Sequence, residues 1–128
     1  MLYIDTSALL KLVVDEPESE ALRAYLSDRG PLVTSALSVT ELLRAARRIA
    51  PSFEAPARAL LDGLTLVEIS RPILEAAALL QPPVLRTLDA IHLATALTQG
   101  DALEVVVTYD VRLRDAARAG GLDTDGPV

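Results

Sequence analysis

Short apolar runs alternate with longer amphipathic segments along this chain, and the apolar runs predict strands. Four such runs are LYI at residues 2–4, PLVTS at 31–35, LTLVEIS at 64–70 and LEVVVTYD at 103–110. Val105, Val106 and Val107 follow one another without a polar residue, as expected of a strand covered on both faces. This last run is the clearest strand in the sequence.

The intervening segments carry apolar residues at helical spacing, and several have a proline near the start or a glycine at the end. They predict helices from residue 6 onward and within residues 15–30, 35–50, 53–63, 71–80, 87–100 and 111–121. The segment 87–100 is apolar around most of its circumference, so we expect it to be buried. Pro82 and Pro83 force a break before it, and a short polar tail is expected from about Asp123.

Strands separated by helices are typical of an α/β fold with a mostly parallel sheet and right-handed crossovers. The chain has 128 residues and neither an internal repeat nor a linker, so it is expected to form one domain over residues 1–128. Asp5 follows the first predicted strand and Asp110 the last. Both therefore lie where parallel α/β folds place their binding sites.

The composition narrows the chemistry available to this domain. Cysteine is absent, which excludes disulfides, thiolate zinc sites and cysteine nucleophiles and suits a reducing compartment. Neither a leader segment nor a membrane span is evident, so we expect a soluble cytoplasmic protein. The net charge of −6 argues against a protein that coats nucleic acid. The single His92 leaves little room for histidine-based metal sites or a Ser-His-Asp triad.

Four of the acidic residues occupy strand ends or helix starts: Asp5, Glu41, Asp89 and Asp110. Each has an ordinary explanation. The first and last would make good helix N-caps. Glu41 completes an S-x-x-E capping box that begins at Ser38, which is the better explanation for Glu41 taken alone. The ordinary explanation of Asp89 is an acid in the first turn of a helix capped by Thr87. It is the weaker one, because on this buried helix the carboxylate would face packed atoms.

Taken together, the four acids point to a metal site. If the first and last strands are neighbours, Asp5 and Asp110 converge on one crevice, which Glu41 and Asp89 could also face. Two negative charges ~4 Å apart repel by about 4 kcal/mol at an effective dielectric near 20, so such a cluster needs protons or a cation. Carboxylate oxygens with no Cys and a single His favour Mg²⁺ or Mn²⁺ over zinc.

Four segments occur in the order and approximate spacing of the PIN-domain ribonucleases: YIDTSALLKL, SALSVTELLRA, LRTLDAIHLATAL and VVVTYDVRLRDAARAGG. From Leu2 to about Gly121 the chain resembles this family, and most closely the VapC-type toxins of prokaryotic toxin–antitoxin pairs. The resemblance implies a three-layer α/β/α fold. It also implies a divalent-metal-dependent endoribonuclease that hydrolyses RNA phosphodiester bonds with a metal-activated water.

The resemblance carries over to individual residues. The family's acidic positions, which bind Mg²⁺ or Mn²⁺ and serve catalysis, are matched by Asp5, Glu41, Asp89 and Asp110. Thr6 matches a hydroxyl position that supports the first aspartate, and Thr108 a similar one before the fourth acid. His92 matches no ligand of the family, and as a lone histidine on an apolar helix it is expected to be a packed residue.

Arginines close to the acids in sequence are candidates for contact with RNA phosphates or with an acidic segment of an inhibitor: Arg44, Arg47, Arg48 and Arg86. For the first three, favourable charge near a helix C-terminus is an equal explanation. The resemblance implies a homodimer that is silenced by a cognate VapB-type antitoxin. That partner would also supply DNA binding, since no helix-turn-helix or ribbon is evident here.

Two alternatives stay open. A phosphoreceiver-like signalling domain also uses aspartate and Mg²⁺ at strand ends, but it needs a lysine near the end of a late strand. The only lysine is Lys11, in the first predicted helix. The second alternative is a catalytically silent PIN-fold interaction module, although such a protein need not keep all four acids.

Overall fold

The structure, a computed structural model, describes all of residues 1–128 and forms a five-stranded sheet with helices on both faces. The strands are β1 (Leu2–Ile4), β2 (Leu32–Ser35), β3 (Thr65–Val67), β4 (Val105–Val107) and β5 (Thr124–Asp125). The helices are α1 (Thr6–Val13), α2 (Ser19–Leu26), α3 (Leu37–Ile49), α4 (Glu54–Asp62), α5 (Arg71–Ala78), α6 (Thr87–Leu97) and α7 (Val111–Ala119). Single 3₁₀ turns precede α4 and β4.

All neighbouring strands are parallel, and their order across the sheet is β3-β2-β1-β4-β5. The chain moves outward from β1 to β3 and then returns to the other side of β1 to form β4. The order therefore reverses between β1 and β4, which is where ligands bind in open α/β sheets. Leu2 pairs with Val105 and Ile4 with Val107, so these two strands end level with each other.

The two faces of the sheet have separate apolar cores. Because side chains alternate along a strand, Leu2 and Ile4 pack into one core with Leu9 of α1 and Leu42 of α3. Tyr3 points to the opposite face, in a core that includes Ala96 of α6. Helices α1 to α4 thus cover one face, and α6 covers the other together with its neighbours α5 and α7. The predicted three-layer α/β/α fold is confirmed.

Most predicted elements are present, with one correction at the C-terminus. The segment from Asp123, predicted to be a polar tail, instead forms β5, in which Thr124 pairs with Val106. Its two residues contain no apolar side chain, so no hydrophobic pattern marked the strand. Helix α6 is buried as predicted, since every residue from Ala90 to Ala96 is inaccessible to solvent or nearly so.

The residues after β5 pack against the end of β4. The hydroxyl of Tyr109 donates to the carbonyl of Pro127 at 2.6 Å. Gly126 lies so close to the backbone that a Cβ at this position would be 2.7 Å from the carbonyl oxygen of Thr108. The C-terminal residues therefore brace the loop that follows β4. None of the helices has the length and apolar character needed to cross a bilayer.

Substitution Gly126→Ala should therefore destabilise the protein, because the new methyl group displaces either β5 or the backbone of Thr108. We expect a loss of about 1–3 kcal/mol in the free energy of unfolding, measured by urea denaturation. Gly30→Ala is the control, since nothing lies within 4 Å of a Cβ there. Equal stability of the two variants would contradict the bracing role of the C-terminal residues.

Candidate active site

The candidate site lies at the carboxyl edge of the sheet, where β1 and β4 end side by side. Asp5 immediately follows β1 and Thr108 immediately follows β4, and the backbone N–H of Asp5 donates to the carbonyl of Val107 at 3.2 Å. Residues more than 100 positions apart in the sequence are thereby held in contact. Asp5 and Asp110 were predicted to converge if the first and last predicted strands are neighbours, and β1 and β4 are neighbours in the sheet.

Asp5 is almost completely buried, with 4% of its surface exposed. Its Oδ1 accepts hydrogen bonds from the Ser7 hydroxyl at 2.7 Å and the Ala8 N–H at 3.1 Å, and its Oδ2 accepts from the Thr108 hydroxyl at 2.8 Å. Burial nevertheless raises the pKa of Asp5, because these bonds replace only part of the lost hydration. Asp5 caps α1, as one prediction had it, and its charge would be favoured by a nearby cation.

Asp110 is joined to Asp5 through Thr108. The Thr108 hydroxyl, which donates to Asp5, also accepts the backbone N–H of Asp110 at 3.0 Å. The Oδ1 of Asp110 caps α7 by accepting the N–H groups of Arg112 and Leu113, at 2.8 and 3.3 Å. The N-cap prediction for Asp110 is confirmed, and the capping bonds leave Oδ2 directed away from the helix backbone.

Glu41 is held by side chains from two other elements. Its Oε1 accepts from the Thr6 hydroxyl at 2.7 Å and from the Nε2 of His92 at 2.5 Å. Burial is the largest influence on its pKa and raises it, but the hydrogen bond from His92, the attraction to that ring when it is charged, and the hydrogen bond from Thr6 together outweigh burial, so the pKa lies below the usual value.

The capping-box explanation of Glu41 is wrong. Helix α3 begins at Leu37 and the residue before it, Ala36, makes no side-chain cap. Ser38, the first residue of the S-x-x-E pattern, is already inside the helix, and its hydroxyl bonds to that of Thr34 at 2.7 Å. The Glu41 carboxylate is therefore free to reach across to α1 and α6.

Asp89 lies in the first turn of α6 and faces an arginine rather than packed atoms. Its Oδ2 accepts from the Nε of Arg86 at 3.0 Å, and the Nη2 of the same guanidinium is 3.4 Å from the Oδ2 of Asp110. Arg86 also occupies the N-cap position that the sequence assigned to Thr87, which is the first residue of α6. Two carboxylates of the predicted site thus share one positive charge.

The predicted acids therefore form two groups. In the first, Thr108 connects Asp5 with Asp110, and Arg86 connects Asp110 with Asp89. The second is Glu41, which lies beside Thr6 at the start of α1. No three acidic or histidine side chains are gathered closely enough to hold a metal ion by themselves. The possible ligands are nonetheless all carboxylate oxygens, the set that suits Mg²⁺ or Mn²⁺. The positive guanidinium of Arg86 already balances two of these carboxylates, Asp89 and Asp110. The chemistry of the donor set fits a divalent cation.

The arginines predicted on α3 are exposed at its C-terminal half. Arg44, Arg47 and Arg48 alone line a surface depression of about 350 Å³. Arg47 is 3.7 Å from Glu54, and both Arg47 and Arg48 lie in the last turn of the helix, as the helix-end explanation required. Arg44 lies one turn after Glu41 and outside the last turn, so that explanation does not cover it.

Sequence reasoning missed three residues of the site. Ser7, not Thr6, is the neighbouring hydroxyl that supports Asp5, because Thr6 donates to Glu41. His92 is buried as predicted, but both ring nitrogens are hydrogen-bonded, one of them to the hydroxyl of Tyr3 at 2.6 Å. The available signal was spacing: His92 follows Asp89 by three residues and so lies one turn further along α6.

Comparisons with known proteins bear on the family and the fold of the chain. The family model for the PIN domain matches residues 2–119. Ribonuclease VapC46 of Mycobacterium tuberculosis is 46% identical over 126 residues, which span 98% of this chain and 97% of that protein. A chain of a toxin–antitoxin complex from Klebsiella pneumoniae superposes with a TM-score of 0.71 at 27% identity, covering 89% of this chain and 90% of that one. Mycobacterium tuberculosis VapC20, a Sarcin-Ricin loop cleaving toxin, superposes with a TM-score of 0.76 at 15% identity over 99% of this chain and 100% of that chain.

The hydrogen bonds of Asp5 predict different effects for two substitutions. Asp5→Ala removes the cap of α1 and leaves the buried Thr108 hydroxyl without its acceptor, so we expect a loss of about 2–4 kcal/mol in unfolding free energy. Asp5→Asn keeps an oxygen for Ser7 and Ala8, and its amide can donate to the Thr108 hydroxyl, which can turn its own hydrogen to Ser7. Since the variant also removes a buried charge, it should be at least as stable as the wild type. Urea denaturation at pH 7 in EDTA measures both; an Asn variant as unstable as the Ala variant would contradict this account.

The advantage of Asp5→Asn should depend on pH. Because the pKa of Asp5 is raised by folding, the ionised side chain destabilises the fold above the folded-state pKa, and this cost disappears below the unfolded-state pKa. The stability difference between the variant and the wild type should therefore shrink as the pH falls toward about 4, the ordinary value for an aspartate. A difference that grew on acidification would show that the pKa of Asp5 is shifted the other way.

Proposed function

The chain belongs to the PIN-domain family, and from that premise we propose that it is a divalent-metal-dependent endoribonuclease, the toxin of a VapC-type toxin–antitoxin pair. One observation carries the proposal: Asp5 and Asp110 are joined through Thr108 at the point where the strand order reverses. Asp89 is joined to the same cluster by Arg86. The curated relatives are named ribonucleases, which agrees with the proposed activity.

The cofactor in this proposal is Mg²⁺ or Mn²⁺, held by carboxylates of the cluster: Asp5, Glu41, Asp89 and Asp110. Its support is the all-oxygen donor set and the raised pKa of Asp5, whose charge a cation would favour. When bound, the ion would lower the pKa of an attacking water and neutralise charge on the leaving oxygen of the phosphodiester. It would also reverse the local potential of an acidic protein toward RNA.

The chain's own residues prepare the site in three ways. Ser7 and Thr108 fix both oxygens of Asp5, so its carboxylate has a single orientation. Thr6 fixes Oε1 of Glu41. Arg86 is 58% exposed and its guanidinium lies beside Asp89 and Asp110, where it could bind an RNA phosphate or an acidic group of an inhibitor.

The family match leaves no support for the phosphoreceiver alternative. Lys11, the only lysine, lies in α1, and its Nζ is engaged by Glu18 at 2.9 Å and Glu16 at 3.7 Å. A catalytically silent PIN-fold module is still a distinct hypothesis, because the same fold could serve only to bind a partner. Cleavage of RNA separates the two.

The proposed partners are a cognate VapB-type antitoxin and a second copy of this chain. The likeness to a chain of a toxin–antitoxin complex at 27% identity supports the first. Exposed apolar side chains on α5 and on the loop to α6 offer a surface for the second, among them Leu74, Leu79 and Val84. DNA binding is assigned to the antitoxin and not to this chain.

Antitoxin-free protein should cleave total RNA at few sites when Mg²⁺ or Mn²⁺ is present. Mapping the new 5′ ends identifies the substrate. Cleavage should disappear in EDTA and fall by at least about 100-fold in Asp89→Asn, because the variant loses one charged oxygen donor. That variant should fold normally, since the Asp89 side chain bonds only to exposed Arg86.

The controls separate the outcomes. If Asp89→Asn cuts the same sites as the wild type, the cleavage comes from a contaminant and the proposal fails. If neither protein cuts but added Mg²⁺ raises the melting temperature of the wild type alone, the metal site exists and the RNA tested is the wrong one. If neither signal is seen, the silent module is the better hypothesis.

The arginines of α3 provide a second test. Arg44→Glu combined with Arg48→Glu should reduce RNA cleavage by about tenfold or more at low salt, because the substitutions repel phosphate. Unfolding free energy should change by less than about 1 kcal/mol, since both side chains are exposed. The matched control changes Arg23 and Arg29 to Glu. Arg29 pairs with Glu104, which lies at the amino ends of the strands, away from the candidate site. Equal activity of the two double variants would show that neither Arg44 nor Arg48 contacts RNA, and would leave Arg48 with the helix-end role alone.

A further inference from the structure

A continuous chain of hydrogen bonds runs through the core to Glu41. It begins at the backbone N–H of Ser35, which donates to the hydroxyl of Tyr3 at 3.2 Å. The Tyr3 oxygen is 2.6 Å from Nδ1 of His92, and Nε2 of His92 is 2.5 Å from Oε1 of Glu41. Tyr3 is fully buried and His92 is 3% exposed, so no water competes for the inner bonds.

The donors and acceptors in this chain fix the position of each hydrogen. A backbone N–H can only donate, so the oxygen of Tyr3 accepts from Ser35, and its own hydrogen can be donated to Nδ1 of His92, 2.6 Å away. An ionised carboxylate can only accept, so Nε2 of His92 must carry a hydrogen and donate it to Glu41. The Tyr3 end of the hydrogen-bond chain calls for a bare Nδ1 and the Glu41 end for a protonated Nε2, so the two ends together specify one ring form.

The geometry leaves one oxygen of Glu41 available. Both bonds to Glu41, from Thr6 and from His92, end on Oε1. No buried side-chain oxygen or nitrogen lacks a hydrogen-bond partner, so Oε2, which has none, reaches the surface. The carboxylate is thus anchored by one oxygen and presents the other.

We propose that His92 is a positioning residue that orients Glu41 toward its ligand, and that Tyr3 sets the tautomer of His92 needed for this. The role rests on the proposed function of Glu41 as a metal-binding carboxylate. Helix α6 then contributes to the site twice, through Asp89 directly and through His92 one turn later. A packing role alone does not account for the arrangement, because an apolar side chain would fill the same space and would make neither bond.

The tautomer can be measured without metal. His92 is the only histidine, so histidine-specific ¹⁵N labelling of the full chain gives one pair of ring signals in an NMR spectrum. In EDTA at neutral pH the wild type should show Nε2 protonated and Nδ1 bare. Tyr3→Phe removes the donor to Nδ1 and should give a mixture of tautomers. A wild-type ring with hydrogen on Nδ1, alone or on both nitrogens, would overturn the proposal.

The orienting role can be measured with two matched substitutions. The amide of Gln reaches about as far as Nε2 of histidine and can still donate to Glu41, whereas the amide of Asn is one methylene shorter. Mn²⁺ titration should give a dissociation constant for His92→Asn about 10–100-fold weaker than the wild type. His92→Gln should stay within about threefold of the wild type. Melting temperatures in EDTA report the structural cost of each change.

Rescue by glutamine is the decisive feature, because a purely structural role would lower Mn²⁺ affinity equally in both variants, in step with stability. Equal affinities, whether both reduced or both unchanged, would overturn the proposal. In a Glu41→Gln background, His92→Asn should have no further effect on Mn²⁺ binding. A wild type that bound no Mn²⁺ would instead contradict the proposed function, while the NMR measurement would still decide the roles of Tyr3 and His92.

Discussion

The parallel pairing of β1 with β4 is the constraint on which the rest of the site depends. These strands lie in the middle of the sheet, and their residues contribute to both apolar cores, so their relative position is fixed by packing on two faces. Because Ile4 and Val107 are paired, the side chains that follow them come within hydrogen-bond reach. The contact between Asp5 and Thr108 is a consequence of strand register, and a slip of one residue would abolish it.

Asp5 and Glu41 are carboxylates fully or partly removed from water and held by hydroxyl groups. Asp5 is removed from water, and hydroxyls and an N–H group replace only part of its hydration, which is why its pKa rises. Glu41 shows the opposite balance, since His92 and Thr6 hold its pKa below the usual value. Two carboxylates of one site thus differ in proton affinity because their neighbours differ. Such contrasts are typical of functional sites, where stability is sacrificed for chemistry.

The features predicted from the sequence are those that depend on local residue patterns, namely most helices and strands and the acids at strand ends. Apolar runs marked β1 and β4, helical spacing marked every helix, and the pairing of strand end with acid pointed to Asp5 and Asp110. Contacts between distant elements had no such signal. The capping-box pattern around Glu41 was misleading because Ser38 lies inside the helix, and the bond from His92 depends on how α6 is placed over the sheet. Strand β5 escaped notice because its two residues, Thr124 and Asp125, carry no apolar side chain that could mark a strand.

The distribution of the site along the chain has a consequence for synthesis. Asp5 and Glu41 are synthesised well before Thr108 and Asp110, and the residues that brace their loop, Gly126 and Pro127, follow later still. A growing chain on the ribosome therefore lacks β4 and β5 until residues 105–125 have been added, and long-range parallel pairing is slow to form. The strand order thus delays assembly of the carboxylate cluster, because Asp5 and Thr108 cannot meet before β4 has emerged and paired with β1.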